Sequence, residues 1–189
     1  MTAIHPKFFG YGSLVNLKTH AYPDATPARL TGWRRVWQQT TLRPAPFLSV
    51  EPCVNTNIDG IVATVPDGDW VALDARERAY ERLDISDRLD LIYPGPTVVY
   101  RVHEENKAPQ LADGMIYLSY LDTVVQGFLD VFGRSGAESF FETTDGWNTP
   151  ILNDRTAPIY PRHQKLSAAE LDFVDQNLKS LSAQVKESE

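Results

Sequence analysis

The sequence predicts one α+β domain spanning residues 1–189, strand-rich in its first half and helix-rich in its second. Three observations predict it. Apolar and β-branched runs punctuated by Gly and Pro fill the chain up to Pro66. Apolar residues at helical spacing then appear after Asp69, across 116–132 and again after Ser167. No repeat or low-complexity linker divides the chain, whose 189 residues are enough for a sizeable core.

"KFFGY" (7–11) reads as a short buried strand that the glycines of "GYGS" then break. "SLVNLKTH" begins a helix or a loop. "ARLTGWRRVWQQ" (28–39) reads as a long strand with a bulge or close approach at Gly32. Trp33 and Trp37 share one of its faces and fill the core, while Arg34 and Arg35 are expected in solvent. "LRPAPFLSVEPCVN" reads as irregular, and "IDGIVATVP" (58–66) as a central strand. Pro66-Asp67-Gly68-Asp69 makes a turn that caps the next helix, on which Trp70, Leu73, Glu77 and Tyr80 form one stripe. Glu81 lies near that face, and Arg76 and Arg78 point away from it. "DLIYPGPTVVYRVH" returns to strand. "IYLSYLDTVVQGFLDVF" (116–132) is a helix whose stripe is Tyr117, Tyr120, Leu121, Val124 and Phe128, with a second short helix at "AESFFETT". A proline-rich loop and a helix complete 145–182. The helix opens on the capping box Ser167-x-x-Glu170 and buries Leu171, Val174 and Leu178. Glu187–Glu189 are expected to fray.

Composition narrows the function. A net charge of −7 argues against nucleic acid or an anionic membrane as partner. No stretch approaches the roughly 20 apolar residues of a membrane span. The N-terminus shows no secretory h-region, and the single Cys53 permits no internal disulfide, so a cytoplasmic location is expected. The four histidines lack metal-ligand spacing, so neither a metal nor another cofactor is expected.

Two features point to chemistry. Gly10-Tyr11-Gly12-Ser13 ends a strand in a sharp turn, where glycines allow positive φ and close backbone approach to a ligand. Successive N–H groups there suit a carboxylate or a developing oxyanion. No Gly-Lys-Ser/Thr follows, so the loop is not a phosphate loop. The alternative is a plain turn. The second feature is Glu77, a carboxylate on an apolar stripe. Burial raises such a pKa toward the range a general base or acid needs. The alternative is an ion pair at the rim of the stripe, with Arg43 or Arg101. Arg155 and Arg162, in the proline-rich tail, are candidates to approach an anionic substrate.

"FGYGSL", then "GWRRVWQ", "LDARERAY" and "YLDTVVQG" together resemble the γ-glutamylcyclotransferase superfamily over residues 8–133, on its ChaC-like/AIG2-like side. The His-Arg-Gly segment that ChaC proteins carry after Trp-Gln has no counterpart here. The resemblance implies a small, strongly bent mixed β-barrel with flanking helices. It also implies closure of a small-molecule γ-glutamyl substrate to 5-oxoproline with release of an amine. By the same resemblance Glu77 is the catalytic glutamate. Tyr11, Gly12, Ser13 and Leu14 form the substrate-carboxylate loop, and Tyr80 and Tyr120 frame the pocket. Ser13 has no partnering base in the sequence and is not read as a nucleophile. The competing readings are turnover of γ-glutamyl amines and a binding module on the same fold, which predicts a missing or salt-bridged glutamate.

Overall fold

A computed structural model describes residues 4–109 and 113–188. Its frame is a six-stranded mixed sheet. Strand β1 (Lys7–Gly10) lies inside it, between β3 (Phe47–Thr64), to which it is antiparallel, and β5 (Thr97–Val102), to which it is parallel. On one side β5 pairs with β4 (Tyr80–Asp84). On the other β3 pairs with β2 (Thr26–Gln38), and β2 with the short β7 (Thr144–Asp145). The α+β class and mixed sheet agree with expectation. Among the described residues the edge strands β4 and β7 do not pair with each other, so the sheet is open and not a closed barrel.

The longest pairing is the β2–β3 hairpin, whose register slips between Thr31 and Trp33. Gly32, at φ +79°, is the expected bulge. Of the stretch 42–55, expected to be irregular, residues 47–55 are strand. Its Pro52 lies opposite Trp33, beside the bulge, where a missing N–H is tolerated. Trp37 is buried and Trp33 partly so.

The helix after Asp69 is shorter than its periodicity predicts. Helix α1 is Val71–Arg76, and Asp69 Oδ1 accepts the Val71 N–H at 3.0 Å. Tyr80 and Glu81 instead open β4, because Tyr80–Asp84 pairs with Val98–Val102 of β5.

Helix α2 (Leu118–Glu142) lays Leu121, Val124, Val125 and Phe128 into the core, each burial contributing about 1.5–3 kcal/mol. Tyr117, expected on its stripe, belongs instead to β6 (Ile116–Tyr117). Gly133 (φ +68°) kinks α2, and the second expected helix is the stretch beyond that kink. The proline-rich loop contains β8 (Ile151–Asn153). Helix α3 (Ala168–Ser180) carries the predicted capping box and buries Phe173, Val174 and Leu178, with Leu171 only half-buried. The tail does not fray at Glu187, because Val185–Glu187 forms β9, parallel to β8. Glu189 lies outside the described residues.

Candidate active site

The site is built where β1 ends. Tyr11 leaves the strand, and Ser13–Val15 and Leu17–Thr19 make two single turns of 3-10 helix. Asn16 ties this loop to α2 through its amide, which donates to the Thr123 carbonyl at 2.8 Å and to Gln126 Oε1 at 3.1 Å. Gly127 permits the approach, since a Cβ there would lie 2.7 Å from Asn16 Cα. The glycines of the loop work through space rather than left-handed backbone. Neither Gly10 nor Gly12 has positive φ. A Cβ on Gly12 would stand 3.0 Å from Tyr120 Oη and 3.1 Å from Leu48 Cδ2.

Arg35, expected in solvent, is fully buried beneath this loop. Its Nε donates to the Tyr11 carbonyl at 2.8 Å and its Nη1 to Thr143 Oγ1 at 2.9 Å, while Nη2 donates to the Asp59 carbonyl. Its guanidinium also lies over the Phe128 and Phe140 rings. Burial pulls its pKa down to about 9. The bond to the Tyr11 carbonyl fixes the plane of the Tyr11–Gly12 peptide. Arg35→Met is expected to cost about 3 kcal/mol, because the carbonyls of buried Tyr11 and half-buried Asp59 lose their donor. Urea unfolding measures this, and a cost below about 1 kcal/mol would show that Arg35 does not hold the loop.

Glu77 follows the last residue of α1. Its N–H still bonds the Leu73 carbonyl at 2.9 Å, so it keeps the inward side that buried Leu73 defines. The side chain is only 15% exposed. Burial raises its pKa, opposed by Arg76 and Arg162. The neighbour expected to point away, Arg76, turns inward: its Nε stands 3.2 Å from Glu77 Oε1, and its Nη2 donates to Ser13 Oγ at 3.2 Å. Neither Arg43 nor Arg101 is the partner, and Arg101 pairs with Glu81 instead.

Tyrosines complete the recess. Tyr80 Oη donates to the Leu48 carbonyl at 2.9 Å and Tyr11 Oη to the Tyr100 carbonyl at 2.6 Å. The Tyr120 hydroxyl reaches the same loop, 3.0 Å from where a Cβ on Gly12 would stand. Burial raises the pKa of all three phenols, so they stay neutral. The structure thus brings Tyr11, Gly12, Ser13, Leu14, Glu77, Tyr80 and Tyr120 around one recess of about 30 Å³. At roughly 10–15 Å³ for each water-sized group, that volume holds about two, the size of a carboxylate's oxygens. The recess shares Ser13, Leu48, Glu77, Tyr80 and Tyr120 with an outer cleft of about 550 Å³, a size suited to a small ligand.

The far wall of the cleft comes from the proline-rich loop. Buried Asp154 accepts the Ser119 N–H (2.7 Å), the Ser119 hydroxyl (2.5 Å) and the Ile159 N–H (2.8 Å). This holds Tyr160 edge-on to Tyr120, with ring centres 5.0 Å apart, and brings Arg162 to the cleft. Arg155 is not available to a substrate, being locked by two 2.8 Å bonds to Asp122 and one to Asp175. Among the described residues, no group of three or more His, Cys, Asp or Glu is placed to hold a metal, and no helix is long and apolar enough to cross a membrane.

Sequence reasoning missed Arg35 and Arg76. Alternation along β2 was a usable signal for the first, since Arg35 sits between Trp33 and Trp37 and must share their face. Nothing local marks Arg76, whose partner Ser13 is 63 residues away.

No protein-family model matches the chain, and no curated protein matches it significantly. Solved structures do. The human uncharacterized protein loc79017 matches with TM-score 0.57 and 14% identity, over 92% of this chain and 99% of that one. A γ-glutamyl cyclotransferase matches with TM-score 0.54 and 13% identity, over 90% and 98%. YkqA from Bacillus subtilis matches with TM-score 0.52 and 15% identity, over 77% of this chain and 57% of that one. At these identities the likeness defines architecture. The chain has the γ-glutamylcyclotransferase fold.

Proposed function

We propose that the protein is a cofactor-independent γ-glutamylcyclotransferase, acting in the cytoplasm on a small γ-glutamyl amide or peptide. The observation that carries this reading is the placement of one buried carboxylate, Glu77, in the same recess as the Gly12–Leu14 loop.

The reaction is an intramolecular aminolysis. The α-amine of the γ-glutamyl group attacks the γ-carbonyl carbon, a five-membered lactam forms, and the original γ-amide C–N bond breaks. Glu77 takes the proton that the attacking nitrogen loses and returns it to the departing nitrogen. The substrate brings its own nucleophile, so no covalent enzyme intermediate is needed. Ser13 is not required as one, and its hydroxyl is already engaged by Arg76.

In this reading the loop holds the substrate α-carboxylate. Gly12, Ser13 and Leu14 line the recess together with the Tyr120 hydroxyl, which supports an oxygen ligand at that position. Anchoring the carboxylate folds the substrate toward attack, and oriented intramolecular reactions gain roughly 7–11 kcal/mol of their barrier this way. The neutral phenols of Tyr11, Tyr80 and Tyr120 give the recess polar edges without a competing negative charge.

One observation favours a second reading. A binding module on this fold is expected to carry a salt-bridged glutamate, and Glu77 does contact Arg76. Incubation with glutathione, γ-glutamyl-alanine and γ-glutamyl-lysine, followed by assay of 5-oxoproline, separates the two. The catalytic reading expects product from at least one substrate that is absent without protein. Binding without product from any of them supports the module.

A further inference from the structure

The outer cleft carries an excess of one charge on a protein of the opposite sign. The chain has 25 acidic and 18 basic side chains, for a net charge of −7. With carboxylates in surplus, arginines find partners easily. Among the described residues, eight of the twelve arginines have a carboxylate within 4.0 Å. The four that do not are Arg35, Arg43, Arg78 and Arg162. Arg35 is buried under the loop and spends its donors on carbonyls. The other three all line the 550 Å³ cleft, together with Arg76. Among the described residues, Glu77 is the cleft's single carboxylate.

Their placement is not accidental to the fold. Arg43 lies over the Phe47 ring at 3.7 Å, with its Nε on the Ala45 carbonyl at 3.1 Å, so its guanidinium is held at the cleft wall. Arg162 is delivered by the loop that buried Asp154 anchors. Arg78 follows Glu77 directly and is exposed at the mouth. Gathering four arginines around one carboxylate leaves an excess of positive charge that is unfavourable in the free protein, and an anionic ligand relieves it. The substrate α-carboxylate does not answer to these three, because its place is the inner recess, which none of them lines. What faces them is the part of the substrate beyond the scissile amide.

We infer that the cleft selects γ-glutamyl conjugates whose departing amine is itself an anion, with an amino acid or peptide bearing more than one carboxylate preferred over a simple alkylamine. This rests on the γ-glutamylcyclotransferase reading and adds a substrate class to it. Arg43, Arg78 and Arg162 are the specificity residues. Arg76 is engaged with Glu77 and Ser13 and is left out of that set.

The test uses three γ-glutamyl compounds whose leaving groups carry zero, one and two carboxylates: γ-glutamyl-ethylamide, γ-glutamyl-alanine and γ-glutamyl-glutamate. kcat/KM from 5-oxoproline release is expected to rise along the series, by at least about tenfold from first to last, the factor that 1.4 kcal/mol represents. The ratio should shrink as salt is added. The double variant R78Q/R162Q, both residues being exposed and without ion pairs, should bring it toward one while leaving the urea midpoint in place. A wild-type ratio near one overturns the inference and leaves the lactam chemistry standing. Where no compound yields 5-oxoproline, binding of the same three by titration calorimetry decides. Affinity rising along the series keeps the anionic preference and removes the cyclotransferase reading, whereas equal affinities or no binding overturn the inference as well.

Discussion

Glu77→Gln is expected to leave the fold intact and to cut 5-oxoproline release by at least about a hundredfold, the scale on which a positioned general base acts. Glutamine has the shape of glutamic acid and keeps the backbone bond from residue 77 to the Leu73 carbonyl. It cannot accept a proton from the attacking amine. Stability gives a second readout with a definite sign. The folded-state pKa of Glu77 is raised by burial, so the folded protein binds its proton more tightly than the unfolded chain does. That group's contribution is therefore fully present below the unfolded carboxylate value of about 4.3 and is lost as pH rises through the higher folded value. Glu77→Gln removes this loss. Urea unfolding across that window should show the wild type declining relative to the variant. Near-normal turnover by the folded variant would remove Glu77 from the mechanism.

Gly12→Val is the second large effect. The first added carbon would already crowd Tyr120 Oη at 3.0 Å and Leu48 Cδ2 at 3.1 Å, and two methyl groups must then fit a recess of about 30 Å³. The substrate carboxylate would lose its seat on the loop and Tyr120 would be pushed away from Gly12. A displacement of about 1 Å at a positioned substrate costs on the order of a hundredfold, so kcat/KM should fall by about that factor, through both a higher KM and a lower kcat. Gly12→Ala should show the same trend more weakly, because its neighbours need give only a few tenths of an ångström. Steady-state kinetics on variants checked for folding by urea unfolding make the comparison. An unchanged kcat/KM in folded Gly12→Val would show that the loop does not seat the substrate.

Much of this site was legible because its signals are local. Glu77 repeats the position of Leu73 one turn later, and that relation survives although the helix stops at Arg76. The strand-to-loop change at Gly10–Ser13 is written in the same few residues, though the reason for glycine is room for Tyr120 and Leu48 rather than a left-handed turn. Ser167 and Glu170 form their capping box within one turn. What the sequence concealed depends on partners far along the chain. β4 exists because β5 pairs with it, and a helical period cannot anticipate that. Pro52 looked like a break, yet it falls opposite Trp33, beside the bulge, where a missing N–H is tolerated. Arg35 looked like half of a solvated arginine pair. In a strand, two adjacent residues face opposite ways, and only Arg34 reaches the surface, where it pairs with Asp145. Arg162 reaches the cleft because Asp154 binds Ser119 from 35 residues away.

The most direct test of the account is a carbon-13 NMR titration of the Glu77 carboxyl, run beside kcat at saturating substrate over the same pH range. The account predicts that Glu77 loses its proton above the usual carboxylate range and that kcat rises over the same interval, a rise absent in Glu77→Gln. A Glu77 that titrates like a solvent-exposed glutamate, or a kcat indifferent to its titration, would contradict the claim that this buried carboxylate moves the proton.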